Sequence, residues 1–243
     1  VPGSGSIFQD KLGLNTIGVL DIRQGCSGFT YALTVANNFI KSGLYKNILV
    51  VGAEVQTTQL DFDNEGRGTA VLFGDGAAVC LVSGTNKDKG ILSSHLHSDG
   101  KYIEELGTEF PSSRYKDIIT QENVKDRKHH IHMNGREVFK HAVRRFPEVI
   151  LEGLEYNNLK VEDVDLVVPH QANYRITQAV QKKLNIPENK VFSNIHKYGN
   201  TTAASIGIAL SEALDSKLIK SEDIVVLASF GAGWYWGSVI IKW

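Results

Sequence analysis

Short apolar runs of strand length alternate with longer stretches of helical period along nearly the whole chain, and that alternation confines it to an α/β fold. Lys46-Asn47-Ile48-Leu49-Val50-Val51-Gly52 reads as a buried strand. Thr69–Phe73 and Ala77–Val82 read as two more, joined at Gly74-Asp75-Gly76, and Val164–Val168 as another. Ile224–Ala228 and Gly237–Ile241 close the chain as a strand pair. Between these runs, Phe29, Leu33, Ala36 and Ile40 share one helical face, and the apolar run Gly18–Ile22 reads as a strand feeding that helix. Residues 134–153 carry Val138, Phe139, Ala142, Val143, Phe146, Val149 and Ile150 at helical spacing, and Ile176, Val180 and Leu184 stand four apart in a further helix.

Two echoes point to a duplicated unit. Val71-Leu72-Phe73-Gly74-Asp75-Gly76-Ala77 resembles Leu227-Ala228-Ser229-Phe230-Gly231-Ala232-Gly233, each expected to join two apolar strands through a Phe-Gly-x-Gly turn. The helix start at Cys26 is echoed by Gly199-Asn200-Thr201-Thr202-Ala203-Ala204-Ser205, where small residues open another helix. Such an arrangement puts a site at the junction of two α/β halves; chance similarity between glycine-rich turns is the alternative. Residues 99–132 differ: they are charged, hold His129, His130 and His132, and lack a clean period. Their spacing matches no common zinc pattern, so a solvated loop or the cover of a substrate tunnel is expected there rather than a metal site.

A chain of 243 residues can bury a substantial core, as one large or two modest domains. A net charge of −1 gives no global attraction to nucleic acid or to an anionic membrane. The chain has 2 cysteines, Cys26 and Cys80, too few for a disulfide framework, which points to a reducing cytoplasm. No apolar stretch has membrane-span length and the N-terminus lacks the pattern of a signal peptide. The sequence opens Val1-Pro2-Gly3-Ser4-Gly5 with no initiator methionine, as expected of a fragment or a processed piece.

Three positions carry chemistry. Cys26, in Gly25-Cys26-Ser27-Gly28-Phe29, sits at a helix start, where unpaired N–H groups and a partial positive charge favour a thiolate. The bland reading is a small buried hydrophobe, which also suits Cys80 in its apolar run. His170, in Val168-Pro169-His170-Gln171-Ala172-Asn173, follows a buried strand directly, at the carboxyl edge where α/β sheets bind ligands; a structural histidine is the alternative. Asn200, in Tyr198-Gly199-Asn200-Thr201-Thr202, is either a plain N-cap or a carboxamide donor. Together, a cysteine can attack a carbonyl while an imidazole and a carboxamide donate hydrogen bonds to an oxygen where charge develops.

In their order along the chain, Asp21–Phe29, Leu72–Ala77, Asn134–Phe139, Pro169–Asn173, Gly199–Ser205, and Phe230–Gly233 with Trp236-Gly237-Ser238 resemble β-ketoacyl-[acyl-carrier-protein] synthase III, within the thiolase-like condensing enzymes. The resemblance implies a five-layered α/β/α/β/α sandwich of two duplicated halves, residues 1–84 and 85–243, with the N-terminal half incomplete because roughly the first quarter of a family member precedes Val1. It implies a Cys26-His170-Asn200 triad, with the N–H groups of Cys26 and Ala232 as oxyanion hole. Cys26 would take an acyl group from an acyl-CoA; malonyl-acyl-carrier protein would then lose CO₂ and condense with it. Arg67, Gly135, Phe139, Asn173 and Phe230 match CoA and pantetheine contacts. Lys140, Arg175 and Lys182 match basic residues facing the carrier protein, though solvated helix charge explains them equally. The family implies a homodimer and needs no metal or other cofactor. A thiolase reaction is disfavoured, since Cys80 is in no matching motif, and no glutamate stands in the context of hydroxymethylglutaryl-CoA synthases.

Some positions depart from the pattern. Val1 falls where the family often has a phenylalanine reaching into the partner subunit's acyl pocket, Arg23-Gln24-Gly25 replaces small residues before the nucleophile, and the segment around 108–132 is longer than in the shortest members. These leave the mechanism standing and the primer open. A ketosynthase or acyltransferase of secondary metabolism, and a non-catalytic partner subunit, are the competing expectations.

Overall fold

The structure is a computed structural model that describes residues 2–243. The first half holds helix α1 (Ser4–Lys11), helix α2 (Gly28–Lys41), strand β1 (Asn47–Glu54), the short helix α3 (Arg67–Ala70) and strand β2 (Gly76–Ser83). Strand β3 (Gly90–Ser98) follows, then the two-residue strands β4 (Leu106–Gly107) and β5 (His132–Met133) with helix α4 (Gln121–Lys125) between them. Helix α5 (Gly135–Tyr156), strand β6 (Leu166–Pro169), helices α6 (Tyr174–Leu184), α7 (Ile195–Tyr198) and α8 (Ala204–Asp215), and strands β7 (Ile224–Gly231) and β8 (Tyr235–Lys242) complete the chain.

The C-terminal strands form one sheet in the order β3-β8-β7-β6, with β6 parallel to β7 and the other neighbours antiparallel. Their near-continuous apolar runs suit a sheet covered on both faces. Val167, Val226, Ala228 and Ile240 point to one side, against Phe146, Val149 and Ile150 of α5 and Val180 of α6. Leu166, Val168, Val225, Leu227 and Val239 point to the other, against Phe29 and Leu33 of α2 and Ile206 and Ala209 of α8. Helix α8 is apolar nearly all round because it is buried on two sides. Beyond α2 and α8 lies the antiparallel pair β1–β2, whose inner face, including Val50 and Cys80, packs on the same core. The layers are therefore α5 and α6, the four-stranded sheet, α2 and α8, and β1–β2. These are four of the five layers expected; among the described residues none covers the outer face of β1–β2, where Leu49, Val79 and Leu81 are 43%, 56% and 62% exposed.

Several expected elements differ. Gly18–Ile22 forms no strand, and Leu20 is 62% exposed, because no neighbouring strand lies beside it among the described residues. The run at 46–52 is a strand, yet a half-buried one, because none of the described residues covers the outer face of the β1–β2 pair. Thr69–Phe73 is not a strand: Ala70 N donates to Gly66 O and Leu72 N to Thr69 O, closing helical turns, and only Phe73 makes a single bridge, to Asn200. Of the two Phe-Gly-x-Gly turns, Phe230–Gly233 joins strands β7 and β8, whereas Phe73–Gly76 leads from a helical turn into β2. The helix-start echo is present in both places, ahead of α2 and of α8.

The 99–132 segment is loop-rich, as expected. It is fastened to the first half by Arg127, which pairs with Asp61 and, at 2.8 Å, with Asp63. The rings of His129 and His130 lie against each other at a 40° tilt, and no cluster of metal-ligating side chains forms among the described residues. The expectation attached to Val1 lies outside the described residues.

Candidate active site

Cys26 lies in a tight turn (Gly25–Ser27) immediately before α2. Gly25 takes φ 48°, a left-handed conformation that glycine enters without a Cβ penalty. Ser27 Oγ donates to Tyr235 O at 2.9 Å, and the hydroxyls of Thr30 and Ser229 share a hydrogen bond of 2.7 Å, so the turn is pinned to β7 and β8. The approach is close enough that a Cβ on Gly231 would lie 2.4 Å from that of Cys26.

His170 follows β6, its N–H donating to Ala228 O at 2.7 Å as the ladder with β7 ends. Gln171 beside it is buried: its Nε2 donates to Pro169 O at 2.7 Å, and its Oε1 accepts from Ser193 Oγ at 3.0 Å and Asn194 N at 3.1 Å. Asn200 caps nothing, since α8 starts four residues later. Its loop is gripped by the helical-turn segment Thr69–Phe73 and the turn after it: Asn200 N donates to Leu72 O at 2.7 Å and Gly74 N to Asn200 O at 3.0 Å. Asn200 Oδ1 accepts from Thr202 N at 2.9 Å, which leaves the Nδ2 protons as the free donors of that amide. Thr202 has φ 45°, an unfavourable left-handed conformation for a β-branched residue.

Cys26, His170 and Asn200 line one cavity of about 100 Å³. Gly135, Phe139, Asn173 and Phe230 line it as well, so four of the five residues matched to CoA and pantetheine contacts converge on the triad. Arg67 stands apart, exposed at the first position of α3. Lys140 lies exposed on α5 and Arg175 and Lys182 lie exposed on α6, helices of the same outer layer, with Lys140 3.2 Å from Glu137.

The helix start does not make Cys26 a resting thiolate. Burial, with a smaller push from the Glu54 charge, raises the thiol to about 12, and the N–H groups of Ala232 and Cys26 itself pull only partly the other way. Those two N–H groups are the pair expected to form an oxyanion hole, and they bear on the sulfur. Burial also drives the His170 imidazole down to about 3. The resting site is thus neutral thiol beside neutral imidazole, and His170 Nε2 is buried with no hydrogen-bond partner among the described residues.

Sequence reasoning missed two residues here. Glu54 ends β1, its carboxyl pushed up by burial although Thr202, Ala203 and Gln56 hydrogen-bond to it. Ser205 lies 2.6 Å from His170 Nδ1 through its Oγ. Glu54 had no motif around it; Ser205 stood inside a matched segment, but its direction depends on the helix start.

A buried cysteine, an imidazole and a carboxamide around one cavity, in this layered α/β architecture, are the features of a condensing enzyme of thiolase-like fold. The family profile described as 3-oxoacyl-[acyl-carrier-protein (ACP)] synthase III matches residues 20–100, and the profile of its C-terminal part matches residues 154–243. The β-ketoacyl-[acyl-carrier-protein] synthase III of Clostridioides difficile is 46% identical over all of this chain and 73% of its own length. That of Fusobacterium nucleatum is 42% identical over 99% of this chain and 72% of its own. The crystal structure of 3-oxoacyl-[acyl-carrier-protein] synthase III from Aquifex aeolicus superposes with a TM-score of 0.90 at 42% identity, covering 100% of this chain and 73% of that one. The chain belongs to the β-ketoacyl-[acyl-carrier-protein] synthase III family.

Proposed function

We propose that Cys26 carries the acyl group and that His170 and Asn200 stabilise the enolate formed from malonyl-acyl-carrier protein. In the first half-reaction the thioester carbon of an acyl-CoA bonds to Sγ of Cys26, the C–S bond to CoA breaks, and the thiol proton leaves with the CoA sulfur. The N–H groups of Cys26 and Ala232 hold the oxyanion. In the second, the bond to the malonyl carboxylate breaks, CO₂ leaves, and the electron pair becomes an enolate on the carrier-bound thioester. Its oxygen accepts from His170 Nε2 and Asn200 Nδ2. The carbanion attacks the acyl carbonyl, the β-ketoacyl-carrier protein departs, and the Cys26 thiolate takes up one proton.

The observation that carries this reading is the convergence of Cys26, His170 and Asn200 on one cavity. An imidazole held down to about 3 by burial is a hydrogen-bond donor rather than a charged acid at neutral pH, which is what an enolate forming beside a neutral thioester needs. No metal or other cofactor enters either step. Arg67 contacts the CoA nucleotide, Gly135, Phe139, Asn173 and Phe230 the pantetheine arm, and Lys140, Arg175 and Lys182 the acidic carrier. The active form is a homodimer in the cytoplasm, where both thiols stay reduced; no helix among the described residues is long and apolar enough to cross a membrane.

A non-catalytic subunit is less well supported, since all three residues line the same cavity. A ketosynthase of secondary metabolism is not favoured, because the curated relatives at 46% and 42% identity over 100% and 99% of this chain carry the synthase III name. The test separates the half-reactions. His170→Ala and Asn200→Ala should each slow decarboxylation of malonyl-acyl-carrier protein by about 10²–10³-fold, the usual loss of one oxyanion donor, while sparing acyl transfer to Cys26. Equal loss of both half-reactions would overturn the assigned roles.

A further inference from the structure

Ser205 lies in the first turn of α8 and is 2% exposed. Its Oγ is 2.6 Å from His170 Nδ1 and 3.3 Å from the backbone nitrogen of Gln171. A hydroxyl has one proton to give and two lone pairs to offer. The Gln171 N–H can only donate, so it occupies a lone pair of Oγ. The proton of Oγ then has one acceptor within reach among the described residues, the Nδ1 lone pair.

From this geometry we infer that Ser205 is a positioning residue: its hydroxyl donates to His170 Nδ1, fixes the ring as the Nε2–H tautomer, and aims that proton into the cavity. The inference rests on the reading of His170 as the enolate donor and deepens it. Without a proton on Nε2 the imidazole presents a lone pair to the enolate oxygen and repels it. The competitor is the Thr202 carbonyl, which favours a proton on the ring. That carbonyl makes no hydrogen bond with Nε2. Removing the Ser205 hydroxyl therefore frees the ring proton to move from Nε2 to Nδ1, with the ring still neutral and still packed in place.

The tautomer can be read without substrate. Nitrogen-15 NMR of histidine-labelled protein, with His170 assigned by its absence in His170→Asn, should show Nε2 protonated and Nδ1 bare in the wild type. Ser205→Ala should shift signal toward the Nδ1–H form, and Ser205→Thr, which keeps the hydroxyl, should restore it. Decarboxylation of malonyl-acyl-carrier protein should fall in Ser205→Ala by about 10-fold or more, within the 10²–10³-fold loss of the donor itself, and recover in Ser205→Thr, with acylation of Cys26 little changed. A wild-type ring protonated on Nδ1 overturns the inference, as does a Ser205→Ala ring that stays Nε2–H and decarboxylates at the full rate. If instead the tautomer shifts as described but His170→Ala decarboxylates normally, the tautomer assignment stands and the enolate role of His170 falls.

Discussion

The pairs β1–β2 and β7–β8 are both antiparallel, have the same length of eight residues per strand, and are similarly apolar. Yet β7–β8 is buried on both faces, with Val226, Leu227, Val239 and Ile240 all at 0% exposure, while β1–β2 alternates buried and open positions. In β1–β2 the inner residues Ile48, Val50, Cys80 and Val82 pack on the core with α2 and α8, and the outer residues Leu49, Val79 and Leu81 stay 43%, 56% and 62% exposed. The comparison separates two things a strand sequence encodes. The alternation fixes which face packs on the helices; the apolar residues on the other face require a cover that lies elsewhere. It also says where the site draws its rigidity. Cys26 and His170 are pinned to the doubly covered sheet, and the half-covered pair reaches the site only at its edge, through Glu54 and Gly52.

Substitutions at matched depth test that contrast. Leu227→Ala, in the doubly covered pair, should cost about 2–5 kcal/mol by urea denaturation, as for a large side chain removed from a packed core. A cost below 1 kcal/mol would mean that this sheet is not the stability core. Gly52→Ala should cost about 1–3 kcal/mol by overpacking, since its Cβ would lie 3.0 Å from the backbone of Ala204. It should also impair decarboxylation, because the displaced helix start carries Ser205; normal activity with lowered stability would uncouple β1 from the site.

The next effect is pH-dependent. The depressed pKa of His170, about 3 against 6.5 unfolded, contributes stability that is complete above pH 6.5 and lost as pH falls toward 3. The unfolded chain binds the proton first in that window, so the slope is at most about 1.4 kcal/mol per pH unit. His170→Gln should flatten that part of the acid limb, and an unchanged limb would show the ring is not buried as described. The smallest effect belongs to the open face: Leu81→Ala should change stability by about 0.5 kcal/mol or less in this chain. A loss comparable to that of Leu227→Ala would mean that the face is covered in solution, and the contrast would break.

Much of this was legible in the sequence. The helical spacing over 134–153, the strand pair that ends the chain and the three site segments were read from period and motif, and the structure brings Cys26, His170 and Asn200 to one cavity. What could not be read depended on neighbours distant in sequence. Gly18–Ile22 has a strand's composition but no partner to make it one. Thr69–Phe73 has a strand's composition too, and forms helical turns whose carbonyls and N–H groups hold the Asn200 loop instead. The charge state of Cys26 turns on burial, which a sequence does not display as it does a helix start: desolvation outweighs the N–H groups and raises the thiol to about 12. Ser205 was in view as a letter, but its aim at His170 exists only once α8 docks beside β6.

Mass spectrometry decides whether Cys26 is the acyl acceptor. The protein is incubated with a panel of acetyl-, branched, longer and aryl acyl-CoAs, digested, and its peptides are weighed. With at least one primer, an acyl mass should appear on the peptide holding Cys26, absent in Cys26→Ala and discharged by malonyl-acyl-carrier protein. An adduct that persists in Cys26→Ala, or that forms on Cys80, would contradict that assignment.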